Sequence, residues 1–226
     1  NALHAEMAIA AAQAGKHIYC EKPLATTSAD AARIVAAVAK AGVISIVGFN
    51  YLKNPAQAFA RQMIESGELG DITLFRGTFD QDFLANPDIP FSWRLDCAQA
   101  GTGALGDLGS HTIAFAQFLV GDIVEVCGLN ATKINERVVP DAGSGYAATA
   151  QSSGKMRSVE NEDIMEFLIR FENGAIGTIG TSRIGVGRKL GLGYEIQGTR
   201  GSLFYTQERM NEIQLYRHTD PDREKG

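Results

Sequence analysis

Apolar positions along the first fifty residues follow two alternating rhythms. Residues 2–15 carry Leu3, Met7, Ala10 and Ala11 at helical spacing and close on Gly15, which predicts a helix with that stripe buried. His17–Cys20 is a short strand ended by Glu21-Lys22-Pro23. Residues 28–41 predict a second helix, capped by Ser28, packed through Ala31, Ile34, Val35 and Val38, and stopped by Gly42. Residues 43–49 are almost all apolar, the pattern of a parallel strand covered on both faces. Helix–strand–helix–strand is the rhythm of a doubly wound α/β layer.

The pattern changes after Asn50. Pro55 opens a helix to about Ser66, and residues 71–79 alternate like a strand. Residues 80–103 are polar and aromatic and lead into a helix over 104–119. Strand-like runs follow at 123–133, 163–171, 175–181, 194–198, 203–206 and 212–216. Asn173-Gly174 between two of them is a hairpin signal, and Gly198–Gly201 reads as a turn. A run of hairpin-joined strands predicts an α+β part with a large, mostly antiparallel open sheet. Residues 140–158 are small and polar and read as a linker loop.

Composition narrows the function classes. Of 226 residues, 45% are hydrophobic and 21% charged, which excludes a disordered, fibrous or coiled-coil chain. Twenty-five glycines against six prolines point to tight turns and close backbone approaches, not low complexity. The net charge of −5, with no basic stripe, argues against a nucleic-acid partner. No apolar run reaches the roughly 18–20 residues of a membrane span. Cys20, Cys97 and Cys127 are odd in number and far apart, which suits a reducing, cytoplasmic compartment better than a disulfide or zinc framework. The length allows one large domain or two small ones, but the chain opens on Asn1 directly into a helical pattern and reads as part of something longer.

Three clusters could carry chemistry. Lys22 follows a strand, and open α/β sheets bind ligands beyond strand carboxyl ends, where a lysine can stabilise a developing negative charge. A surface lysine in a loop is the plainer account. Asp107 and His111 lie four apart on the helix that follows a glycine-rich tract, Gly101 to Gly109. That spacing points both the same way, so the carboxylate can orient the imidazole and the pair can move a proton near neutral pH. A capped helix start with a satisfied histidine fits equally well, and a metal site would want a third ligand that the pattern does not supply. The glycines allow another group to approach the backbone. Trp93 and Arg94 precede that helix and suit either stacking on a sugar ring or a core aromatic with its arginine. Asn50 and Tyr51 lie past the second strand and could line the same cleft.

The order Asn1-x-x-His4, Glu21-Lys22-Pro23, Val47-Gly-Phe-Asn50-Tyr51, Gly103-Ala-Leu-Gly-Asp107-x-x-x-His111 and Glu195-Ile-Gln-Gly-Thr-Arg-Gly201-Ser resembles the glucose–fructose oxidoreductase / inositol dehydrogenase / MocA family over essentially the whole chain. The resemblance implies that residues 1–50 are the C-terminal remnant of a Rossmann domain binding NAD or NADP. Residues 51–226 would then be a substrate-binding and homo-oligomerising α+β domain, with its C-terminus cut short. It implies hydride transfer between nicotinamide and a hydroxyl carbon of a sugar or polyol: an inositol, pyranose or anhydrosugar. Lys22, Asp107 and His111 would be catalytic, with His111 the base and Lys22 the oxyanion stabiliser. Asn1, His4, Glu21, Lys22 and Pro23 would face the cofactor, and Asn50, Tyr51, Trp93 and Arg94 the substrate. The Lys22–Pro23 bond is often cis in that family. The family's pyrophosphate-cradling Gly-x-Gly-x-x-Gly turn and its ribose-selecting acidic residue read as absent, and the glycine-rich Gly185–Gly193 tract, late and among strands, is a poor substitute, so this chain alone is expected to bind dinucleotide poorly or not at all. A non-catalytic sugar-binding or assembly relative, or an NAD-using lyase or hydrolase of the same family, are the competing readings.

Overall fold

The structure is a computed structural model that describes residues 1–140 and 152–222. Helix α1 (His4–Gln13), strand β1 (Ile18–Cys20), helix α2 (Ser28–Ala41) and strand β2 (Ser45–Val47) come first. The strands pair in parallel, with Ile18 opposite Ser45 and Cys20 opposite Val47, as the helix–strand alternation predicts. Gly42, in the left-handed region, ends α2. The N-cap is Thr27, not Ser28: its hydroxyl accepts the Asp30 N–H at 3.1 Å.

The buried stripe of α1 also differs from the sequence expectation. Ala5, Ala8 and Ala12 are buried, while Leu3 and Met7 are exposed. The small side chains let α2 approach closely, so that Ile34 fills the seam with Ile9, Ile18, Leu24 and Val38 around it. Val35, expected in the stripe, is exposed. Within this chain strand β2 is covered on one face. Side chains alternate across a strand, so Ile18 points into the helices while Tyr19 and its register partner Ile46 point away and are exposed.

The rest of the chain builds a seven-stranded sheet. A 3₁₀ turn (Asn50–Lys53) leads to helix α3 (Pro55–Glu65), where the Asn54 side chain caps Ala56 N and Pro55 takes the first turn. Strand β3 (Ile72–Asp80), a 3₁₀ turn (Trp93–Leu95), the short helix α4 (Cys97–Ala100) and helix α5 (Ser110–Leu119) follow. Leu105–Gly109 is a π-helical turn running directly into α5. Then come β4 (Ile123–Ala131), β5 (Glu136–Pro140), β6 (Ser152–Ser158), β7 (Ile164–Phe171), β8 (Ile176–Ser182), β9 (Gly191–Gly198), β10 (Gly201–Thr206) and β11 (Gln214–Arg217). The sheet order is β11-β10-β9-β3-β8-β7-β4. Every neighbouring pair is antiparallel except β3 and β8, which run parallel. The Asn173-Gly174 hairpin joins β7 to β8, with Gly174 at φ 88°.

Helices α3 and α5 cover one face of this sheet. Phe75, Phe79, Phe115, Ile179, Tyr194 and Tyr205 form the centre of that core, with the Tyr194 and Tyr205 rings stacked at 5.2 Å. The opposite face stays open and mixes exposed Leu168, Ile176 and Phe204 with the ion pairs Arg76–Glu195 and Arg170–Glu125. Among the described residues no helix is long and apolar enough to cross a membrane.

Of the expected linker at 140–158, residues 141–151 lie outside the described residues. Residues 152–158 form β6, antiparallel to β5, instead of a loop. Among its described side chains, Arg157 ties this strand to the 80–103 segment. The Arg157 guanidinium lies 4.2 Å from the Phe91 ring centre and 2.9 Å from the Asp96 carboxylate. Arg137 of β5 is fully buried and donates to the carbonyls of Leu84, Asn86 and Ile89. It therefore fastens the irregular 80–103 segment over its own small core of Leu84, Phe91 and Leu95. Arg137→Met would leave three carbonyls without a donor. An unmet buried polar group costs about 1–3 kcal/mol, so chemical unfolding should show a loss of about 3 kcal/mol or more. A loss under about 1 kcal/mol would show that the arginine does not anchor the segment.

Candidate active site

Lys22 sits just past the carboxyl end of β1, on a loop whose Lys22–Pro23 bond is cis. His4, at the start of α1, contacts the Pro23 carbonyl through Nδ1 at 2.8 Å and braces that loop from beneath. From the loop the Lys22 ammonium reaches the helix in front of the large sheet. It donates to the Asp107 carbonyl at 2.6 Å and to Asp107 Oδ1 at 2.9 Å. On the other carboxylate oxygen lies Arg94 Nε at 3.4 Å, and the Arg94 guanidinium stacks on the Trp93 ring at 4.5 Å. One carboxylate thus takes two cations from two separate parts of the chain.

The two titratable groups of this helix are driven apart. Burial raises the Asp107 pKa, but the charges and hydrogen bonds of Lys22 and Arg94 outweigh it and hold the carboxyl below its usual range. His111 is buried in an aromatic box of Tyr51, Phe49 and Phe79, whose rings lie 4.7, 5.8 and 5.8 Å from it. Burial, then the charge of Lys22, pull its pKa down to about 4 against the opposing influence of Asp107. Burial and Asp107 together push the Tyr51 phenol up. No hydrogen bond joins Asp107 to His111 among the described residues: Asp107 serves the cations, and His111 is oriented by rings.

Lys22, Arg94, Asp107 and His111 converge on one open cleft of about 380 Å³. Phe79, Gln81, Phe83 and Leu108 complete its wall. Gln81 and Phe83 escape a reading of the sequence alone. Gln81 follows β3, the same strand-end position that draws attention to Lys22, and its amide is held by the Lys189 carbonyl at 3.1 Å. Trp93 and Asn1 line a small depression beside the cleft, next to Arg94 and Asp107, and Asn1 Nδ2 donates to the Ala100 carbonyl at 2.9 Å. Tyr51 borders His111 but does not line the cleft, and Asn50 and Glu21 are exposed outside it. Glu21 lies across from Gly48, close to the end of β2.

Gly101-Thr-Gly103-Ala-Leu-Gly106 carries the Gly-x-Gly-x-x-Gly spacing of a dinucleotide turn. It follows α4, not a strand, and its glycines serve packing. A Cβ on Gly101 would press on the Thr26 backbone, one on Gly103 would collide with the Glu162 carbonyl, and one on Gly106 would collide with the Thr102 hydroxyl. The close backbone approach expected of this tract is therefore present, with protein as the partner. Among the described residues no group of three His, Cys, Asp or Glu is arranged to hold a metal ion, and all three cysteines are free.

Comparisons with known proteins agree with this architecture. The family described as oxidoreductase family, NAD-binding Rossmann fold, matches residues 1–49, and the GFO/IDH/MocA C-terminal domain matches residues 58–204. Levoglucosan dehydrogenase of Pseudarthrobacter phenanthrenivorans is 41% identical over 227 residues, covering 100% of this chain and 58% of that protein. Myo-inositol 2-dehydrogenase of Thermotoga maritima is 27% identical and covers 99% of this chain and 58% of its own length. Among solved structures, the apo form of levoglucosan dehydrogenase superposes with a TM-score of 0.95 at 42% identity, over 100% of this chain and 58% of that one. An NAD binding oxidoreductase from Klebsiella pneumoniae gives 0.92 at 45% identity, over 100% and 57%. The chain thus spans a little over half the length of these relatives. With one family domain matched on each side of the Lys22–Asp107 contact, this chain belongs to the Gfo/Idh/MocA oxidoreductase family.

Proposed function

We propose that residues 1–50 contribute the end of a dinucleotide-binding layer and residues 51–226 the substrate half of an NAD(P)-dependent sugar or polyol dehydrogenase. The observation that carries this reading is the Lys22–Asp107 contact of 2.9 Å, in a cleft that also holds a neutral His111. The cleft opens at the carboxyl ends of β1 and β3, where open α/β folds place ligands, and its volume suits a pyranose-sized ring. When bound, the nicotinamide supplies the hydride acceptor. Relatives solved with NADH favour NAD, and a relative named for levoglucosan at 41% identity favours an anhydrosugar or a related pyranose.

The chain's own residues divide the remaining work. Lys22 stabilises the substrate oxygen as it loses its proton and lowers the proton affinity of that oxygen. His111, neutral at physiological pH, accepts the hydroxyl proton. Asp107 stays ionised, keeps Lys22 aimed into the cleft and accepts hydrogen bonds from substrate hydroxyls. Trp93 and Arg94 form the flat, polar edge against which a sugar ring rests. The deciding experiment incubates the complete protein with NAD or NADP and a panel of levoglucosan, myo-inositol and simple pyranoses, and follows nicotinamide reduction. Lys22→Ala should lower kcat by about 10²–10⁴ on whichever substrate reacts. A near-normal rate in that variant would remove Lys22 from the chemistry.

Protonation of His111 also has a sign in stability. Its folded pKa of about 4 lies below the unfolded value of 6.5, so between these values the unfolded chain holds a proton that the folded chain lacks. The contribution is fully present above the unfolded pKa and is lost as pH falls toward the folded one. The linkage relation gives a loss of about 2 kcal/mol between about pH 7 and about pH 5 from this residue. Urea midpoints at the two pH values should show that decline, and His111→Gln should flatten it by that amount. An unchanged slope in the variant would mean that the imidazole is not buried as described.

The open sheet face, with Leu168 and Ile176 exposed beside Arg170 and Glu125, supports a homo-oligomeric contact through this sheet. Sedimentation should find the protein oligomeric, and Leu168→Asp should shift it toward monomer. A parent protein that sediments as a monomer would refute the contact.

A further inference from the structure

Resting on the oxidoreductase reading, we propose that Asn161 and Glu162 are positioning residues that set where Arg94 and Asp107 stand relative to Lys22. Neither lines the cleft. They lie between β6 and β7, more than fifty residues downstream of both groups they would control.

The geometry is a two-handed clamp. Glu162 holds the start of the helix that carries Asp107. Its carbonyl accepts the Ala104 N–H at 3.0 Å and its carboxylate accepts the Leu105 N–H at 2.9 Å. These are N–H groups at a helix start, which have no partner within the helix. A carboxylate there also meets the positive end of the helix dipole. Asp107 follows Leu105 by two residues, so the acceptor fixes the turn from which its side chain leaves. Gly103 is what lets the two backbones meet, since a Cβ there would strike the Glu162 carbonyl.

The other hand is Asn161, whose Nδ2 donates to the Arg94 carbonyl at 2.8 Å. It is buried, and it is held in turn by Arg183, whose Nη2 donates to Asn161 Oδ1 at 2.9 Å. Arg183 Nε donates to Asp163 Oδ1 at 2.9 Å, and Asp163 Oδ2 accepts the N–H groups of Lys133 and Ile134. The Arg183–Asp163 pair is almost wholly buried. A buried pair with both partners hydrogen-bonded is a rigid mount, because loosening either partner strands a charge in a dry place. One stretch of four residues, Asn161 to Glu162 backed by Asp163 and preceded by Glu160, therefore sets the two partners whose contact at 3.4 Å completes the Asp107 environment. Glu160 extends the grip, its carboxylate accepting the Cys97 N–H at 3.1 Å.

The test uses the complete protein with NAD and either levoglucosan or myo-inositol, whichever the parent turns over. Displacing a catalytic group by about an ångström can cost about a hundredfold. Glu162→Ala should therefore lower kcat about ten- to a hundredfold while KM stays within about threefold. Glu162→Gln keeps an acceptor oxygen and should recover to within about threefold of the parent. Parent-like kcat in Glu162→Ala, or a Gln variant as slow as the Ala variant, would overturn the proposal. A second readout does not depend on turnover. Acrylamide quenching of Trp93, taken as the difference from a Trp93→Phe form, should increase in Asn161→Ala as the Arg94 guanidinium leaves the indole. Unchanged quenching would overturn the clamp. If the parent reduces neither cofactor with either compound, the oxidoreductase reading fails, and the quenching result still decides the clamp.

Discussion

The Lys22 ammonium is the charge felt by both titratable groups of the site. It crosses from the β1–β2 layer to a helix 85 residues further along the chain and meets Asp107 with both side chains mostly withdrawn from water. In that setting its charge does two opposite things. It keeps the carboxyl of Asp107 ionised, and it helps keep the imidazole of His111 uncharged. Two groups one helical turn apart are thus both held below the usual range for their kind, Asp107 by its cations and His111 first by burial and then by Lys22.

The parts of this arrangement that the sequence made legible are those carried by short-range rules. The strand–Glu-Lys-Pro junction, the Asp-x-x-x-His spacing and the Asn-Gly hairpin each follow from a local geometric constraint, and each is present. What escaped is non-local. The buried stripe of α1 went to alanines because the partner helix needed room, which no hydrophobicity pattern within α1 reveals. The small, polar residues of β6 read as a loop, and the contacts of Arg157 with Phe91 and Asp96 join parts of the chain about sixty residues apart. Gln81 was visible only in principle, through its place at a strand end. The Asp-x-x-x-His spacing leaves open whether the carboxylate orients the imidazole, and the cations that settle its partners, Lys22 and Arg94, come from elsewhere in the chain.

The glycine-rich tract before the helix teaches a related lesson. Its Gly-x-Gly-x-x-Gly spacing matches a nucleotide turn letter for letter, yet here the groups that need the space are Thr26, Glu162 and Thr102. Spacing records that something approaches the backbone; only the preceding element says what. The same tract packs the start of the Asp107 helix against Glu162 and the buried Arg183–Asp163 pair.

The placement of β3 has a consequence for how the chain is made. This strand lies between β8 and β9, pairing Leu74 with Ile176 on one side and Phe75 with Ile196 on the other. Both neighbours leave the ribosome about a hundred residues after it. At about 5–20 residues per second, β3 waits several seconds with both hydrogen-bonding edges open and Phe75 and Phe79 without their final cover. The central strand of the finished sheet is the one that spends the longest time unpaired during synthesis, and closing it is an event of high contact order. Premature pairing of this strand is a hazard that this topology builds in.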